Sequence, residues 1–588
     1  MWRAVVVLVY ILKSVRPQGN HLQNGDFENP NSINPWICMG CKTVVTQDSY
    51  EGHWCVMVTR RDRSWSALTQ TVYSQGDRNF IFKAHIKLLS VGSGKFYTTI
   101  NVLVQHVDEN GKLIKTRFVV SPKQQVSFDW IEVGGDVYIP DISHVGSFSL
   151  SIEIPEYEVD YLVDSAVLTE MPKNPSWKSA AIAAIDRIRK ASLTITPDAR
   201  HSNAYYCSNF GGSYCIDISQ MYIEIKQTRS EYAFGSSVYP DLLSGSLSNP
   251  TYDQFVFKNF EWGLIKEELQ WNKMESVQGI MHANITREAI EVLRSNRIKA
   301  WGSGLFSALR TNNPDWLKLL SLWDVQKAIQ NRFDTIASEF NNSFDNLDVY
   351  SDYLLDDYME TITRTTNITE QLFKTAHEKF PTARLFLDES NVLNSSIHTT
   401  AYSILAKRLQ KSHIPVHGLG IRAHFNTTEI DMDVIKYRLD KLVEARLPIW
   451  ISSLAIHDAN VTRRAKHLED IMYLLFSYPE VEGMILDGVW DRDLLNRDSA
   501  LAQGFNFQMN EAGQVYVNRW HTHENLPFSS TVSIRPYKGE YDIIVHNGGA
   551  SGEIIATRHI TLDSSGQSVT ITVTGQGHNY QVTNVAFG

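Results

Sequence analysis

The sequence predicts a multidomain chain, in which a (β/α)8 TIM barrel is preceded by an all-β jelly-roll or sandwich module and followed by a small β domain. The 588 residues suggest about three or four units at roughly 100–200 residues per domain. From about residue 221 to 516, apolar runs alternate with amphipathic helical patterns, which is typical of parallel strands joined by crossover helices. On both sides of this region, short alternating runs between Gly, Asp, Asn and Ser turns predict antiparallel strands.

The N-terminus predicts a secreted protein. Arg3 is followed by an apolar stretch from Ala4 to Leu12 and then by polar residues, so residues 1–19 are predicted to be a signal peptide. No later apolar run is long enough to span a membrane, so we expect no membrane partner. The net charge of −10 comes without a basic cluster, which argues against nucleic acid. No motif calls for a cofactor.

The five cysteines form two groups. Cys207 and Cys215 bracket a Gly-Gly turn and are predicted to pair in an oxidising compartment. Among Cys38, Cys41 and Cys55 one must be left over. The Cys-x-x-Cys spacing is also compatible with zinc, but no second ligand pair follows, so no metal is predicted.

Asn-x-Ser/Thr triplets agree with a secretory route. Six of them occur in the middle of the chain, at Asn284, Asn341, Asn367, Asn394, Asn426 and Asn460.

Residues 20–172 contain "LQNGDFE", "YEGHWCVMVTRRDRSWSALTQTV", "FDWIEVGG" and "VDYLVDSAVL". In order and spacing these segments resemble the carbohydrate-binding modules found beside xylanases. The resemblance implies a β-sandwich that holds a polysaccharide strand on one face. The candidate contacts are Trp54, Arg60, Arg61, Trp65 and Trp130, although Trp65 and Trp130 also fit a core position. Asp164 resembles a turn or calcium-side position in such modules, and no metal is assigned to it.

Three further segments complete the predicted organisation. Residues 173–220 are expected to be a helical linker with the Cys207/Cys215 excursion, residues 221–526 the barrel, and residues 527–588 the C-terminal β domain. The helix is predicted from Trp177 to Ala191.

Eight segments of the barrel region follow one another as "IEIKQTRSEYAFGSSV", "FEWGLIKEELQW", "WGSGLFSALRTNNPDW", "LDVYSDYLLDD", "LFLDESNVL", "GLGIRAHF", "LPIWISSLAI" and "VEGMILDGVWDRD", and "NEAGQVY" closes the series. They resemble family 10 glycoside hydrolases, the xylanase type, and most closely the plant and animal members. The resemblance implies a (β/α)8 barrel with two catalytic glutamates at the carboxyl ends of its strands.

Both glutamate positions differ in this sequence. Asp352 stands at the acid/base position, after Ser351 where the family has an Asn, and Ser453 stands at the nucleophile position. Asp352 keeps a carboxyl but is one methylene shorter, and a misplacement of about 1 Å can cost about 10²-fold in rate. An isolated serine is a poor nucleophile, so covalent catalysis by the family mechanism is expected to fail.

The sugar-contact positions change as well. The substituted residues are Glu267, Gln270, Ser303, Ser307, Arg422 and Asp487, and the retained ones are Trp271, Asn391, His424 and Trp490. Trp271, His424 and Trp490 are candidate glycan contacts, with a structural role as the alternative. Asp352 is either a leftover acid or a residual general acid, and Asp352 with Asp487 could form a new pair for inverting hydrolysis.

Two functions follow from these residues. The first is a secreted glycan-binding or extracellular-matrix protein with a catalytically degenerate barrel, whose partner is a xylan-like or other β-1,4-linked polysaccharide. The second is an active endo-1,4-beta-glycanase with a displaced or weakened site.

Overall fold

The computed structural model describes residues 19–124, 129–198, 221–245, 247–265, 267–340, 342–426, 429–492, 497–576 and 581–587. The predicted Cys207–Cys215 disulfide, the sequon at Asn341 and nearly all of the predicted signal peptide lie outside these residues.

The N-terminal module is a sandwich of two five-stranded antiparallel sheets. Its strands are β1 (Ile37–Met39), β2 (Lys42–Thr46), β3 (Cys55–Thr59), β4 (Ala67–Tyr73), β5 (Arg78–Leu88), β6 (Asn101–Val107), β7 (Leu113–Val120), β8 (Ile131–Ile139), β9 (Ser147–Glu153) and β10 (Tyr161–Glu170). One sheet has the order β1-β4-β9-β6-β7 and the other β2-β3-β10-β5-β8. In strands such as β5 and β9 alternate residues fill the layer between the sheets, as the period of two predicts. The predicted all-β module is confirmed.

The three N-terminal cysteines are now assigned. Cys38 and Cys41 form a disulfide, with their Cα atoms 5.3 Å apart, and Cys55 is the free thiol. Cys55 is fully buried, and burial raises its pKa to about 12, with the charge of Asp164 as the next contribution. The Cys-x-x-Cys pair is thus a disulfide here rather than a zinc half-site.

A helix and two strands connect the module to the barrel: α1 (Trp177–Arg189), β11 (Leu193–Asp198) and β12 (Met221–Ser230). The helix agrees with its prediction to within two residues.

The barrel strands are β13 (Ala233–Val238), β14 (Trp262–Ile265), β15 (Lys299–Gly302), β17 (Asn346–Ser351), β18 (Arg384–Ser390), β19 (Gly418–Phe425), β20 (Ile449–Ile456) and β21 (Val481–Leu486), with the short β16 (Phe306–Ser307) beside β17. All of their pairings are parallel, and β13 pairs with both β14 and β21 while β15 pairs with β17, so the sheet closes on itself. This confirms the predicted (β/α)8 barrel.

The helices of the barrel region are α2 (Pro240–Leu243), α3 (Pro250–Asn259), α4 (Trp271–Met274), α5 (Asn284–Ser295), α6 (Leu322–Phe340), α7 (Tyr358–Thr363), α8 (Ile368–Lys379), α9 (Thr399–Lys411), α10 (Met432–Val443), α11 (Val461–Phe476) and α12 (Glu511–Arg519). The short strands β22 (Ala502–Gln503) and β23 (Gln508–Met509) precede α12. Within the described ranges, no helix combines the length and the apolar character needed to cross a membrane.

An aromatic layer fills the inside of the barrel. Trp262, Trp301, Phe386 and Trp450 come from four different strands, and their rings lie 4.7–6.3 Å apart across the barrel. Trp301 donates its indole N–H to Asp348 at 2.9 Å. A buried carboxylate thus lies beside the aromatic layer, at the register of Phe386.

The C-terminal strands are β24 (His523–Pro527), β25 (Val532–Ile534), β26 (Gly539–Asn547), β27 (Glu553–Leu562), β28 (Gln567–Gln576) and β29 (Gln581–Phe587). They form two four-stranded sheets, β25-β11-β28-β29 and β24-β12-β26-β27. This corrects two predicted boundaries, because β11 belongs to this domain and not to a helical linker, and β12 is not the first barrel strand. The barrel begins at Ala233, since β13 is buried along its whole length whereas β12 alternates between buried and less buried residues.

The module is joined to the barrel by polar contacts. Lys123 donates to the Asp356 carbonyl and to Glu360 at 2.6 and 2.7 Å, and Tyr97 donates to Asp357 at 2.6 Å. Arg438 of α10 pairs with Asp136 of β8 at 2.7 Å. The contacts of Lys123 and Tyr97 reach the segment that follows β17, which begins with Asp352.

Candidate active site

Two polar clusters lie at the carboxyl ends of the barrel strands, where barrel active sites are found. The first contains Asp352, which follows β17, and Arg422 of β19. The second contains Ser453 of β20, His424 of β19 and Asp487, which follows β21. The structure thus brings together residues that were singled out separately in the sequence.

Asp352 is completely buried and has a left-handed backbone, with φ at +61°. This conformation is uncommon for a residue with a side chain. Its carboxylate accepts from Arg422, and it also accepts from Ser390 at 3.3 Å and from Ser307 at 3.4 Å. Its amide donates to the Asp388 carbonyl at 3.0 Å. The carboxylate therefore already has three partners within the protein.

Arg422 is the cation of an acid-rich layer. Its Nε lies 2.6 Å from Asp388, and its guanidinium also contacts Asp352. Burial alone would lower the pKa of Arg422, but the two carboxylates outweigh burial and raise it. Burial raises the pKa of Asp388 despite the Arg422 charge, and burial together with the Asp352 charge raises the pKa of Glu389 well above its ordinary value.

Ser453, His424 and Asp487 form a hydrogen-bonded triangle. The Ser453 hydroxyl donates to Asp487 at 2.8 Å and lies 2.6 Å from His424 Nε2. The same Nε2 lies 3.3 Å from Asp487. In a Ser-His-Asp triad the histidine contacts serine with one ring nitrogen and the acid with the other. Here one nitrogen faces both partners, so the arrangement differs from a triad.

The two predicted barrel tryptophans differ in exposure. Trp271 is buried, donates to Glu275 at 2.9 Å and packs on Phe306, which is a structural placement. Trp490 is half-buried and packs against Phe505, whose ring is 66% exposed. Phe505 was missed in the sequence because it lies 15 residues beyond Trp490, outside the compared segments.

The remaining positions that were compared with the family differ in conformation and exposure. Asn391 has a left-handed backbone like Asp352, with φ at +58°. Ser307 contacts Asp352, while Glu267, Gln270 and Ser303 are half-buried.

The predicted glycan contacts of the N-terminal module also differ in their exposure. Arg61 is 5% exposed and donates to four backbone carbonyls, so its guanidinium holds the loop before β4 and is not presented to a ligand. Trp65 is 48% exposed, with Arg63 5.3 Å from its ring centre, so it is not a core residue. Trp54 is half-buried and Arg60 exposed.

A second aromatic group lies beside the sheet that contains β5 and β8. Trp130 is half-buried and meets the edge of Tyr50, which stacks on His85 at 3.5 Å. Tyr50 was missed because it lies in a turn without a strand pattern.

The surroundings of Asp164 indicate a structural role. It is buried, and its carboxylate accepts from the amides of Tyr50, Glu51 and Ser165. Burial raises its pKa to about 6, and these amide bonds oppose the shift. Among the residues that the structure describes, no group of three or more His, Cys, Asp or Glu side chains is arranged to hold a metal ion.

Comparison with known proteins agrees with this architecture. Residues 225–513 match glycosyl hydrolase family 10, and residues 19–157 match a carbohydrate binding domain. The barrel belongs to glycosyl hydrolase family 10. The family 10 domain and the carbohydrate-binding domain before it confirm the resemblances that the sequence segments indicated.

Two relatives are Arabidopsis thaliana endo-1,4-beta-xylanases. Endo-1,4-beta-xylanase 1 is 23% identical over 88% of this chain and 52% of its own length, and endo-1,4-beta-xylanase 2 is 26% identical over 85% and 45%. The chain thus spans about half the length of these relatives. Among solved structures, the CBM22-1–GH10 modules of Clostridium thermocellum endo-1,4-beta-D-xylanase 10B, complexed with xylohexaose, align with a TM-score of 0.43 and 13% identity, over 82% of this chain and 94% of that chain.

Proposed function

We propose that the protein is a secreted polysaccharide-binding protein whose family 10 barrel does not hydrolyse glycans by the family mechanism. The observation that carries the proposal is the state of the two catalytic positions. A hydroxyl stands at one, and a carboxylate tied to a guanidinium stands at the other. The proposed ligand class is a xylan-like β-1,4-linked polysaccharide, which the names of the Arabidopsis relatives support.

The nucleophile position lacks a group that can attack an anomeric carbon. Retaining glycosidases use two carboxyls about 5–5.5 Å apart, one of which attacks the sugar. The Ser453 hydroxyl donates its proton to Asp487, and His424 faces both groups with one nitrogen. Asp487 and His424 Nε2 both lie within hydrogen-bond reach of the Ser453 oxygen, but the histidine does not bridge serine and acid through its two ring nitrogens, as it does in a triad that activates serine.

The acid position is occupied by an internal ion pair. A general acid must present a protonated oxygen to the leaving group. Asp352 is fully buried, and its oxygens accept from Arg422, Ser390 and Ser307. Proton donation would require this ion pair to break inside the barrel, where an unpaired charge is costly.

The module supplies the proposed binding surface. Trp65 is nearly half exposed beside the sheet that contains β4, and flat aromatic rings suit the apolar faces of sugars. Tyr138 offers a matched control, since it is a 55% exposed aromatic residue on β8 of the other sheet.

A paired assay on the full chain tests the proposal. Xylan binding is measured by affinity electrophoresis, and xylan hydrolysis by release of reducing ends. We expect binding without product, weaker binding for Trp65→Ala and unchanged binding for Tyr138→Ala. Product that disappears in Asp352→Ala would refute the loss of hydrolysis, and equal binding by all three proteins would refute the role of Trp65.

A second candidate function has one specific observation in its favour. His424 contacts the nucleophilic Glu in active relatives, as the resemblance implies, and here its Nε2 lies 3.3 Å from the Asp487 carboxylate. Asp487 could thus act as a base that takes a proton from water while Asp352 protonates the leaving oxygen, which is an inverting hydrolysis. Inverted product that is lost in both Asp487→Asn and Asp352→Asn would establish this function instead.

A further inference from the structure

Five of the six Asn-x-Ser/Thr sequons share one place in the barrel. Asn284 lies after β14, Asn367 after β17, Asn394 after β18, Asn426 after β19 and Asn460 after β20, and each precedes or begins the next long helix. The segment that leads from a strand to its helix lies at the carboxyl end of the barrel. These five asparagines therefore lie on the same face as Asp352 and Ser453.

Exposure distinguishes four of them from the fifth. Asn284, Asn367, Asn426 and Asn460 are exposed, whereas Asn394 is half-buried. N-linked sugars are bulky and hydrated, so they require a surface position. This difference is not visible in the sequence, where all of these triplets have the same form.

The hydrogen bonds of the asparagine side chains also distinguish exposed sites from Asn394. In Asn284, Asn367 and Asn460 the oxygen is the engaged atom, since it accepts from Arg287 at 2.7 Å, Gln371 at 3.0 Å and the Arg463 amide at 3.0 Å. These bonds do not use Nδ2, the nitrogen that carries a sugar.

Asn394 is oriented the other way. Its Nδ2 donates to the His424 carbonyl at 3.0 Å and approaches Asn391 Oδ1 at 3.4 Å. A sugar on Nδ2 would have to occupy the space beside the Ser453, His424 and Asp487 triangle.

We propose that the protein carries N-linked glycans at Asn284, Asn367, Asn426 and Asn460 but not at Asn394, and that these glycans surround the mouth of the barrel. The inference rests on the proposed secretion, because this modification occurs on the secretory route. The proposed glycosylation has a steric consequence, because four bulky glycans around the mouth of the barrel obstruct the approach of a large polymer. Polysaccharide is then bound by the module, which carries none of the six sequons.

Site occupancy tests the proposal directly. The full chain is produced in secreting eukaryotic cells, its N-glycans are removed by an amidase in ¹⁸O-water, and labelled aspartates are located by peptide mass spectrometry. We expect the label at the four exposed sites and none at Asn394. A secreted chain without label at those four, or with label at Asn394, overturns the inference while leaving secretion intact. A chain retained inside the cell without N-glycans overturns the proposed secretion as well.

Shielding of the mouth is tested with a polymeric thiol reagent. Leu355, in the segment after Asp352, is 37% exposed, and Tyr138 on the module is 55% exposed. Maleimide-polyethylene glycol should label Leu355→Cys severalfold more slowly in the glycosylated chain than in a chain with all four asparagines changed to Gln, while Tyr138→Cys reacts equally in both. Equal rates at Leu355→Cys would overturn the shielding.

Discussion

A single guanidinium holds the charged layer of the barrel together. Asp348, Asp352, Asp388 and Glu389 lie within a layer that is almost closed to water, and Arg422 contacts two of them. Buried carboxylates of like charge raise one another's pKa, as the shifts of Asp348 and Glu389 show after the larger effect of burial. Arg422 thus has a structural role in this layer, and its contact with Asp352 supports the proposed loss of acid catalysis.

Arg422→Met should destabilise the protein strongly. The change leaves two buried carboxylates without their cation, which typically costs about 3–5 kcal/mol of the free energy of unfolding. Urea unfolding followed by tryptophan fluorescence measures the loss. Arg384→Met is the matched control, because the Arg384–Glu482 pair is 39% exposed on both sides and should contribute less than about 1 kcal/mol. Equal effects of the two changes would contradict this role of Arg422.

Restoring both glutamates should not restore family-level hydrolysis. In Asp352→Glu with Ser453→Glu, Arg422 still lies beside position 352, and substituted contacts such as Ser303 and Gln270 still fail to position a sugar. We expect reducing-end release from xylan at least about 10²-fold below that of an active xylanase assayed in parallel, since small misplacements cost that much. A rate equal to that of the active enzyme would show that the two glutamates alone were missing.

At the residue scale, the sequence identified the positions but not their contacts. Asp352 and Ser453 were found by their place in recognisable segments. The Arg422–Asp352 pair and the Ser453–Asp487 bond join residues 70 and 34 positions apart in the chain, on strands whose relative register the sequence does not specify. Burial of Trp271 and exposure of Trp65 likewise depend on packing partners from other segments.

At the scale of elements, the edge strand β7 joins the module to the barrel. The Val120 amide donates to the Ile397 carbonyl at 2.9 Å, and Ser396 donates to the Phe118 carbonyl at 3.0 Å. An edge strand offers unpaired backbone groups, and the segment after β18 covers them. The module is thus bonded to the segment that follows Ser390, a residue that donates to Asp352.

This junction should weaken in acid. Burial, and then the nearby charge of Arg117, lowers the pKa of His398 from 6.5 to about 4. Because the unfolded chain binds the proton more tightly, stability is full above pH 6.5 and is lost as the pH falls toward 4. One pKa unit corresponds to about 1.4 kcal/mol, so the loss is roughly 3 kcal/mol.

Urea unfolding at a series of pH values measures this effect. His398→Gln cannot gain the proton, so its stability should fall less between pH 6.5 and 4 than that of the unchanged chain. Parallel pH profiles for the two proteins would contradict the assignment.

The burial patterns of single strands show which elements the sequence could predict. The barrel strands β17 and β20 are buried along their whole length although NLDVYS and IWISSLAI contain polar residues, and they were recognised because their segments resemble the family. Strand β12 was assigned to the barrel because the family segment continues into β13. Its alternation of buried Met221, Ile223 and Ile225 with less buried residues is typical of a strand in an antiparallel sheet and differs from the fully buried barrel strands.

At the scale of the whole molecule, the last β domain is built from both sides of the barrel. Strand β11 pairs with β25 and β28, and β12 pairs with β24 and β26. The shared core includes Ile223 and Ile225 from before the barrel and Tyr541, Ile543 and Val545 from after it. Pairing between such distant segments cannot be derived from local patterns, which is why the sequence predicted a separate appended domain.

A chain that ends at Leu526 should therefore fail to fold, although it keeps every barrel strand. Its β11 and β12 would lose β25, β26 and β28 and would expose the apolar faces of Leu193, Ile195, Ile223 and Ile225 to water. A chain that ends at Gln576 is the matched control, because it loses only β29 at the edge of one sheet. We expect the shorter chain to aggregate in size-exclusion chromatography and the longer one to elute as a folded protein. A soluble chain ending at Leu526 with the thermal unfolding profile of the full protein would mean that the barrel does not need the C-terminal strands.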